Sequence, residues 1–599
     1  MSRRYLNLTP LSEALAIMQR EFPSPGRAES VPLAEAVGRV TAEPLYAGYS
    51  VPMADIAKFD GYAVKSGATR GAQDQRPLPL AGYTRVNTGE VLPQPFDAVV
   101  MIEDTWDEGG TPWIRKSAAF GQHIRRAGED VRAGELVLPK GHRVRPFDIG
   151  ALATYGIDRV SVRSVRVGIV PTGSDLVPLG TAPGPGRTIE TNTLMAEAYL
   201  TGTGATCRRY GIVPDEPDLI REAVETAVAE NDLVILSAGS SAGTRDFSRD
   251  VVGEIGEIVF HGIAVRPGKP VLLANVGGKP VLGMPGYPVA AQTVLREVAG
   301  SLLSWWGLEP LPLGEMDVRL ARRLASDLGF DEFVPVSVGR VDGTCWATPH
   351  PRGGGIQMAV VRANGYLHIP AAREGIEAGE VVRVRLTVPS ASLARTLVCV
   401  GRRDPVLGEL GNRLAESGYQ FHCCNASTIG AVLALRANTC HAATVALPET
   451  ALAWDDQVLR YLPDVDLLRV PVARTELGVA SADPLDAGSL ASLRVANRPK
   501  SAAAQFLLDA WLDREGIDVS PSGVPADVRV CPALEAREAG LRFTPIGCES
   551  CDLVIREELA ADEGVAALIE AVRSPEFRAY LHSIGRDPGD GDAPGVFSA

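Results

Sequence analysis

The stretch Leu233-Val-Ile-Leu-Ser237-Ala-Gly239-Ser240-Ser241-Ala-Gly243-Thr-Arg-Asp246-Phe247 reads as a buried parallel strand that empties into a loop of small residues and then starts a helix. Small residues let a backbone approach a ligand closely, and a helix start offers free amides and the positive end of a dipole to an anion. Two further loops follow within fifty residues: Val265-Arg266-Pro-Gly-Lys269-Pro270, and Gly283-Met-Pro285-Gly286-Tyr-Pro288, the second opening a helix expected over Val289 to Trp306. One such loop is as readily a plain tight turn. Three together, two of them carrying cations or an Asp, point to a site for a phosphate-bearing ligand.

Working outward, 599 residues demand several cores, since single cores stop growing near about 250 to 300 residues. The formal net charge of -14 argues against nucleic acid, whose phosphates need a basic surface, so an anionic ligand has to be held by local cations and amides. The sequence holds no apolar run long enough to span a membrane, and Met1 to Leu8 has no apolar signal core, so the expected location is cytoplasmic. Nine scattered Cys suit reduced thiols, and a zinc reading of Cys548-Glu-Ser-Cys551 lacks a second pair at the right spacing.

In chain order, Leu11, Leu15 and Met18 fall at helical spacing behind a candidate N-cap at Thr9-Pro10, and Phe22-Pro-Ser-Pro-Gly26 ends the helix. Short β-type runs and frequent Gly and Pro imply a compact insert, carrying Asp60-Gly61, Asn87-Thr88-Gly89 and Arg126. Val165 to Val170 begins an α/β segment whose helix Asp218 to Glu230 is expected to bury Leu219, Ala223 and Val224. The pattern returns to β from Leu311 to Val388. Pro389 to Ser392 reads as a linker before a second α/β body, and the tail from Arg586 as disordered.

The motifs Phe59-Asp60-Gly-Tyr-Ala63, Asn87-Thr88-Gly89, Asp97 to Glu103, Ile124 to Asp130, Pro171-Thr172-Gly173, Glu190-Thr-Asn192, Ser237 to Phe247, Arg266-Pro-Gly-Lys269 and Met284-Pro285-Gly286 resemble, in order, those of the MoeA/gephyrin family of molybdopterin molybdotransferases. The resemblance implies a multidomain α/β plus β chain. Its parts are a split N-terminal domain (1–50 and 140–164), a β-rich insert (51–139), a molybdopterin-binding α/β domain like the adenylylating enzymes (165–308) and a small β-barrel-like domain (309–388). It also implies a homodimer, other enzymes of the cofactor pathway as partners, and Mg2+-dependent insertion of molybdate into adenylyl-molybdopterin with release of AMP. A molybdopterin adenylyltransferase, and a non-enzymatic molybdate or tungstate sensor or scaffold, stand as alternatives.

Under that resemblance Asp246, Asp60 and Asp215 are the candidate catalytic residues, and Asp175 and Asp246 the candidate metal ligands, because Mg2+ takes oxygen donors and bridges phosphates. By spacing alone Asp246 and Asp215 read equally as helix N-caps, and Asp60-Gly61 and Asn87-Thr88-Gly89 as turns. Thr172, Gly173, Ser237, Gly239, Ser240, Ser241, Gly243, Pro285 and Gly286 would border substrate, with Arg266 and Lys269 as phosphate or molybdate clamps and Thr88 and Arg126 reaching in from the partner subunit. The chain departs from the family at Ile56-Ala-Lys-Phe59, at Ser174-Asp175 where Asp-Glu is usual, and at Gly262 where Lys is frequent.

From Leu393 to Gly585 the likeness is to two-lobed periplasmic-binding-protein-like domains related to molybdate and tungstate binders, carried by Val400 to Pro405, Asn425 to Gly430, Asn497-Arg498 and Ser574 to Phe577. It implies an oxyanion site at Asn425, Ser427 and Thr428 in one lobe and Lys500 and Ser501 in the other. Simple N-capping is the plainer reading of Ser427 and Thr428.

Overall fold

The computed structural model of the protein describes residues 8–237, 247–308, 314–449, 458–462, 465–482, 503–515 and 528–589, with the backbone of short strands at 495–496, 521–522 and 595–597. The first helix, Leu11–Glu21, buries Leu11, Ala14 and Met18, spaced so that one stripe faces the α/β core beside Ile263 and Trp306. The side-chain cap expected at Thr9-Pro10 does not form: Pro10 occupies the N-cap without one, and Thr9 is drawn into a parallel bridge with Ile263 instead. Strand Ala28–Pro32 pairs antiparallel with Arg159–Arg163, so the chain leaves and re-enters one small body around the intervening insert. Within that insert Gly61–Val64 is the middle strand, between Thr84–Val86 and Ala98–Met101.

The α/β part is a six-stranded sheet in the order Thr206–Arg209, Arg166–Pro171, Leu233–Ser237, Lys279–Met284, Leu272–Val276, Glu257–His261. The first four strands are parallel, and all five residues of Leu233–Ser237 are buried, as a strand covered by helices on both faces requires. Helix Pro217–Glu230 buries Ile220, Val224 and Ala227. Leu219, expected inside, is 38% exposed: the apolar stripe sits one residue further on, and a single-residue step turns a helix by about 100°. The helix after Gly286 runs from Pro288–Val294 through one wider π-type turn, Leu295–Ala299, into Gly300–Trp305.

A second six-stranded sheet closes on itself, because Asp331–Val341 pairs with both Thr344–Pro349 and Gly365–Ile369. Strand Val265–Arg266, from the α/β segment, joins this barrel-like sheet beside Asp331. The expected linker at Pro389 to Ser392 is instead continuous with a 3-10 helix, Ser390–Arg395, whose Leu393 is buried in the barrel core. Beyond it, two antiparallel 15-residue strands, Leu467–Ser481 and Arg542–Arg556, run through a ten-stranded sheet. One core packs near the Leu467 end and another against helix Ala503–Glu515, giving two lobes spanned by the long strands. The tail, expected to lack structure, contributes Asp587–Pro588 and Gly595–Phe597 as strands on Leu467–Ser481, whose open backbone edge offers them partners. No helix among the described residues is long and apolar enough to cross a membrane.

Candidate functional site

Three parallel strands of the α/β sheet end at one level: Pro171 stands opposite Ser237, and Ser237 opposite Met284. The chain passes from Arg166–Pro171 outward to Thr206–Arg209 on one side, then back to Leu233–Ser237 on the other. That reversal makes a topological switch point, where loops diverge and leave a crevice beyond the strand ends. Thr172, Ser237 and Pro285 are therefore neighbours by register rather than by sequence.

At the first strand end, the Thr172 amide and Oγ1 both donate to the Ser237 carbonyl, at 2.9 and 3.2 Å, tying the two loops together. Gly173, at φ +152°, has its amide donated to the Val213 carbonyl, and a Cβ there would lie 2.8 Å from Leu176. Ser174 and Asp215 exchange hydrogen bonds: the Ser174 amide donates to the Asp215 carboxylate, and the Asp215 amide to Ser174 Oγ, both at 2.9 Å. Asp215 thus staples two loops. Asp175, next along, is exposed; its carbonyl accepts from the Thr188 amide at 3.0 Å, and its carboxylate has no hydrogen-bond or ion-pair partner among the described residues.

At the third strand end, Asn192 Nδ2 donates to the Gly286 carbonyl at 2.8 Å, while the buried Asn192 Oδ1 has no partner among the described residues. An acceptor left unsatisfied in a buried place is costly unless a ligand N–H or water completes it. Val289 donates to the Gly354 carbonyl, and Gly354 and Gly355 pack on Tyr287, bringing a glycine-rich barrel loop to the same crevice. Sequence reasoning gave Asn192, Tyr287 and Gly354 no role; only the Pro-Arg-Gly-Gly-Gly run at 351–355 hinted at a close backbone approach.

The two candidate clamps part company. Lys269 is exposed with no ion pair among the described residues. Arg266 pairs with Asp327 and lies 4.0 Å from the Phe330 ring centroid, so its guanidinium serves the joint with the barrel. In the insert, Asp60 accepts from the Thr88 amide at 2.7 Å and Oγ1 at 2.9 Å, and these bonds hold its carboxyl below the usual range. Arg126 reaches Asp55 and lies over Phe120. Among the described residues, the hydrogen bonds and ion pairs of the Asp60, Thr88 and Arg126 side chains stay within the insert. Gly239, Ser240, Ser241, Gly243 and Asp246, like Lys500 and Ser501, lie outside the described residues.

Comparison with known proteins follows this geometry. The profile of the MoeA N-terminal region (domain I and II) matches residues 9–156, that of the probable molybdopterin binding domain 168–304, and that of the MoeA C-terminal region (domain IV) 317–387. A protein of Methanocaldococcus jannaschii assigned to molybdopterin biosynthesis is 30% identical over 402 residues, 63% of this chain and 98% of that protein. The chain belongs to the MoeA family. The molybdopterin molybdenumtransferase of Haemophilus influenzae is 29% identical over 398 residues, 62% of this chain and 97% of that enzyme. The MoeA crystal structure from Pyrococcus horikoshii superposes with a TM-score of 0.56 at 31% identity, covering 64% of this chain and all of that one. To this MoeA portion a PBP superfamily domain is joined, matched over 411–524.

In that appended domain Ser427 caps helix Thr428–Arg436, its Oγ accepting from the Gly430 amide at 3.1 Å, and Asn425 ends strand Gln420–Asn425. Cys548 and Cys551, three apart on one strand, face opposite sides of the sheet.

Proposed function

We propose that this chain completes the molybdenum cofactor by inserting molybdate into adenylyl-molybdopterin, releasing AMP. What carries the reading is the crevice at the switch point of a MoeA-family sheet, where three strand ends meet beside Lys269 and the Asn192 Oδ1, neither of which has a side-chain partner among the described residues. Lys269 supplies a point charge to phosphate or molybdate oxygens, Asn192 accepts from a pterin N–H, and Thr172, Gly173, Ser237, Pro285 and Gly286 form the walls, with Gly239, Ser240, Ser241 and Gly243 as further phosphate-binding residues by their place in the family motif.

The residues present fit a Mg2+ ion, which needs only one or two protein carboxylates and keeps waters in its remaining positions. The Asp175 carboxylate, without a partner among the described residues, would serve as one ligand, and Asp246 as the second by its place in the family motif. Bound there, the ion supplies positive charge to the phosphate anhydride. Asp215 holds the loop that carries Asp175. Asp60, Thr88 and Arg126 act across a homodimer, from the insert of the partner copy. The division of the chain at 1–50 with 140–164, 51–139, 165–308, 309–388 and 393–585, and a cytoplasmic location, belong to the same proposal, as does an oxyanion receptor role for the appended domain.

The test supplies full-length protein with adenylyl-molybdopterin, Mg2+ and molybdate. AMP release together with active cofactor is expected, and Asp246→Asn and Lys269→Gln should each slow it by at least about tenfold, the scale of one lost electrostatic contact to a developing charge. Consumption of ATP instead of release of AMP would move the assignment to adenylylation, and absence of turnover in the intact, folded protein would leave only a binder.

A further inference from the structure

A cavity of about 890 Å³ opens where the barrel-like sheet meets the appended domain. One wall is helix Pro405–Glu416, through Leu407, Gly411 and Asn412; another is Gln420–Asn425, which is the outer strand of the ten-stranded sheet. The barrel side contributes Val361 and Arg362. In the sheet order this outer strand is distant from the strands of the second lobe, and Asn425 at its end also lines the recess.

Its charges are unbalanced. Of the four ionised side chains on its lining, Arg402 is held bidentately by Glu549, and Asp404 is paired with Arg586 at 2.6 Å. Arg362 and Arg403 have no carboxylate partner among the described residues. Both stand on the same lining, and burial, then the Arg403 charge, depress the Arg362 guanidinium. A second cavity of about 400 Å³ on the barrel shows the opposite balance: its Arg373, Arg383 and Arg385 are each paired, with Glu380, Glu315 and Glu297. Two uncompensated guanidinium groups in a recess of a chain with formal net charge -14 cost repulsion that a bound dianion removes.

The remaining lining sets polar Asn412, Gln420, His422 and Asn425 beside an apolar and aromatic side. Tyr419 and Phe421 stand on it, Tyr419 steadied by Arg395 at 5.7 Å from its ring centroid, and Leu407 faces them from the helix. The volume far exceeds that of a bare oxyanion.

We propose that this junction cavity is a binding site for a phosphate monoester with an aromatic or apolar body, the phosphate lying between Arg362 and Arg403 and the body against Tyr419, Phe421 and Leu407. A phosphate dianion matches the two free charges, and its oxygens match the forked donors of guanidinium better than a monoanionic carboxylate does. The site is joined to the contact between the two bodies. The Arg362 carbonyl accepts from Ser337 Oγ at 3.0 Å and from His422 Nδ1 at 2.7 Å, and His422 itself lines the cavity. A ligand here touches the MoeA portion and the appended domain at once, so occupancy stiffens the joint. The strand-end crevice supplies neither cation, so the inference stands apart from the proposed reaction; through Asn425 it adjoins the oxyanion loop of the appended domain and extends the receptor role proposed there.

The test is calorimetry on the full chain with phenyl phosphate and with inorganic phosphate. Phenyl phosphate should bind at least about tenfold more tightly than inorganic phosphate, through its ring contacts. Arg403→Gln, at an exposed position, should weaken phenyl phosphate at least about tenfold, the scale of a charged hydrogen bond, while Arg403→Lys retains part of the affinity and Lys269→Gln leaves it unchanged. Arg362→Gln should act like Arg403→Gln. Unchanged affinity in both glutamine variants would overturn the proposal, as would loss confined to Lys269→Gln, which would assign the binding to the strand-end crevice.

Discussion

Ser337 concentrates three partners on one buried hydroxyl: His350 Nε2 at 2.7 Å, His422 Nδ1 at 3.0 Å and the Arg362 carbonyl. Burial, reinforced by the nearby His422, Arg362 and Arg322, pushes the His350 imidazole down to about 4. The folded state therefore refuses a proton that the unfolded chain accepts near 6.5. Above that value both states are neutral and the group is silent; as pH falls from about 6.5 to about 4 the unfolded state gains, and the folded state loses about 2 kcal/mol between pH 7 and pH 5. Thermal unfolding of the intact protein should show its first transition moving down over this range, and His350→Gln, which keeps an acceptor or donor near Nε2 but does not titrate, should flatten the slope; an equal slope in the variant would contradict the assignment. At the same scale, Ser174 shows why a departure from a family motif is not by itself a loss. Its hydroxyl and amide close the staple with Asp215, a task the longer acidic residue usual at this position would perform with different geometry.

Among elements, the central strand of the insert depends on a missing side chain. Gly61 follows the candidate Asp60, and a Cβ there would sit 2.0 Å from the Val100 carbonyl oxygen, against backbone that has no rotamer to escape into. Gly61→Ala should destabilise the insert by about 2 to 3 kcal/mol through forced separation of the strands, and hydrogen exchange of Tyr62, Val99 and Val100 should accelerate while the α/β sheet keeps its protection. Uniform acceleration across the molecule would show that the insert does not behave as a separate unit. The strand Leu233–Ser237 was legible because five apolar or small residues before a glycine-rich loop have few other homes. The buried face of Pro217–Glu230 was not, since Leu219 and Ile220 offer stripes of similar strength and the choice between them belongs to the sheet packed beneath.

Across the whole molecule, the chain end matters to a loop 182 residues away: Arg586, on the tail, donates to Asp404, which is 5% exposed. Removing one partner of a buried pair strands the other charge, so Arg586→Ala should destabilise the appended domain by about 3 kcal/mol, with Asp404→Asn in the same chain recovering part of the loss. Denaturant unfolding of the single and double variants measures this, and additive losses would show the pair to be uncoupled. The same long range explains what each level of description could supply. Periodicity, small-residue loops and ordered motifs sufficed for the family and the order of its parts, because those are local properties of the chain. They could not tell that Arg266 would be drawn to Asp327 while Lys269 finds no ion pair among the described residues, or that Asn192 would hold Gly286 with its own Oδ1 unpartnered among them. Nor could they show Arg362 and Arg403 lining one cavity with no carboxylate partner among the described residues. Which charges find partners depends on side chains brought together from distant positions, and only the packed structure decides that.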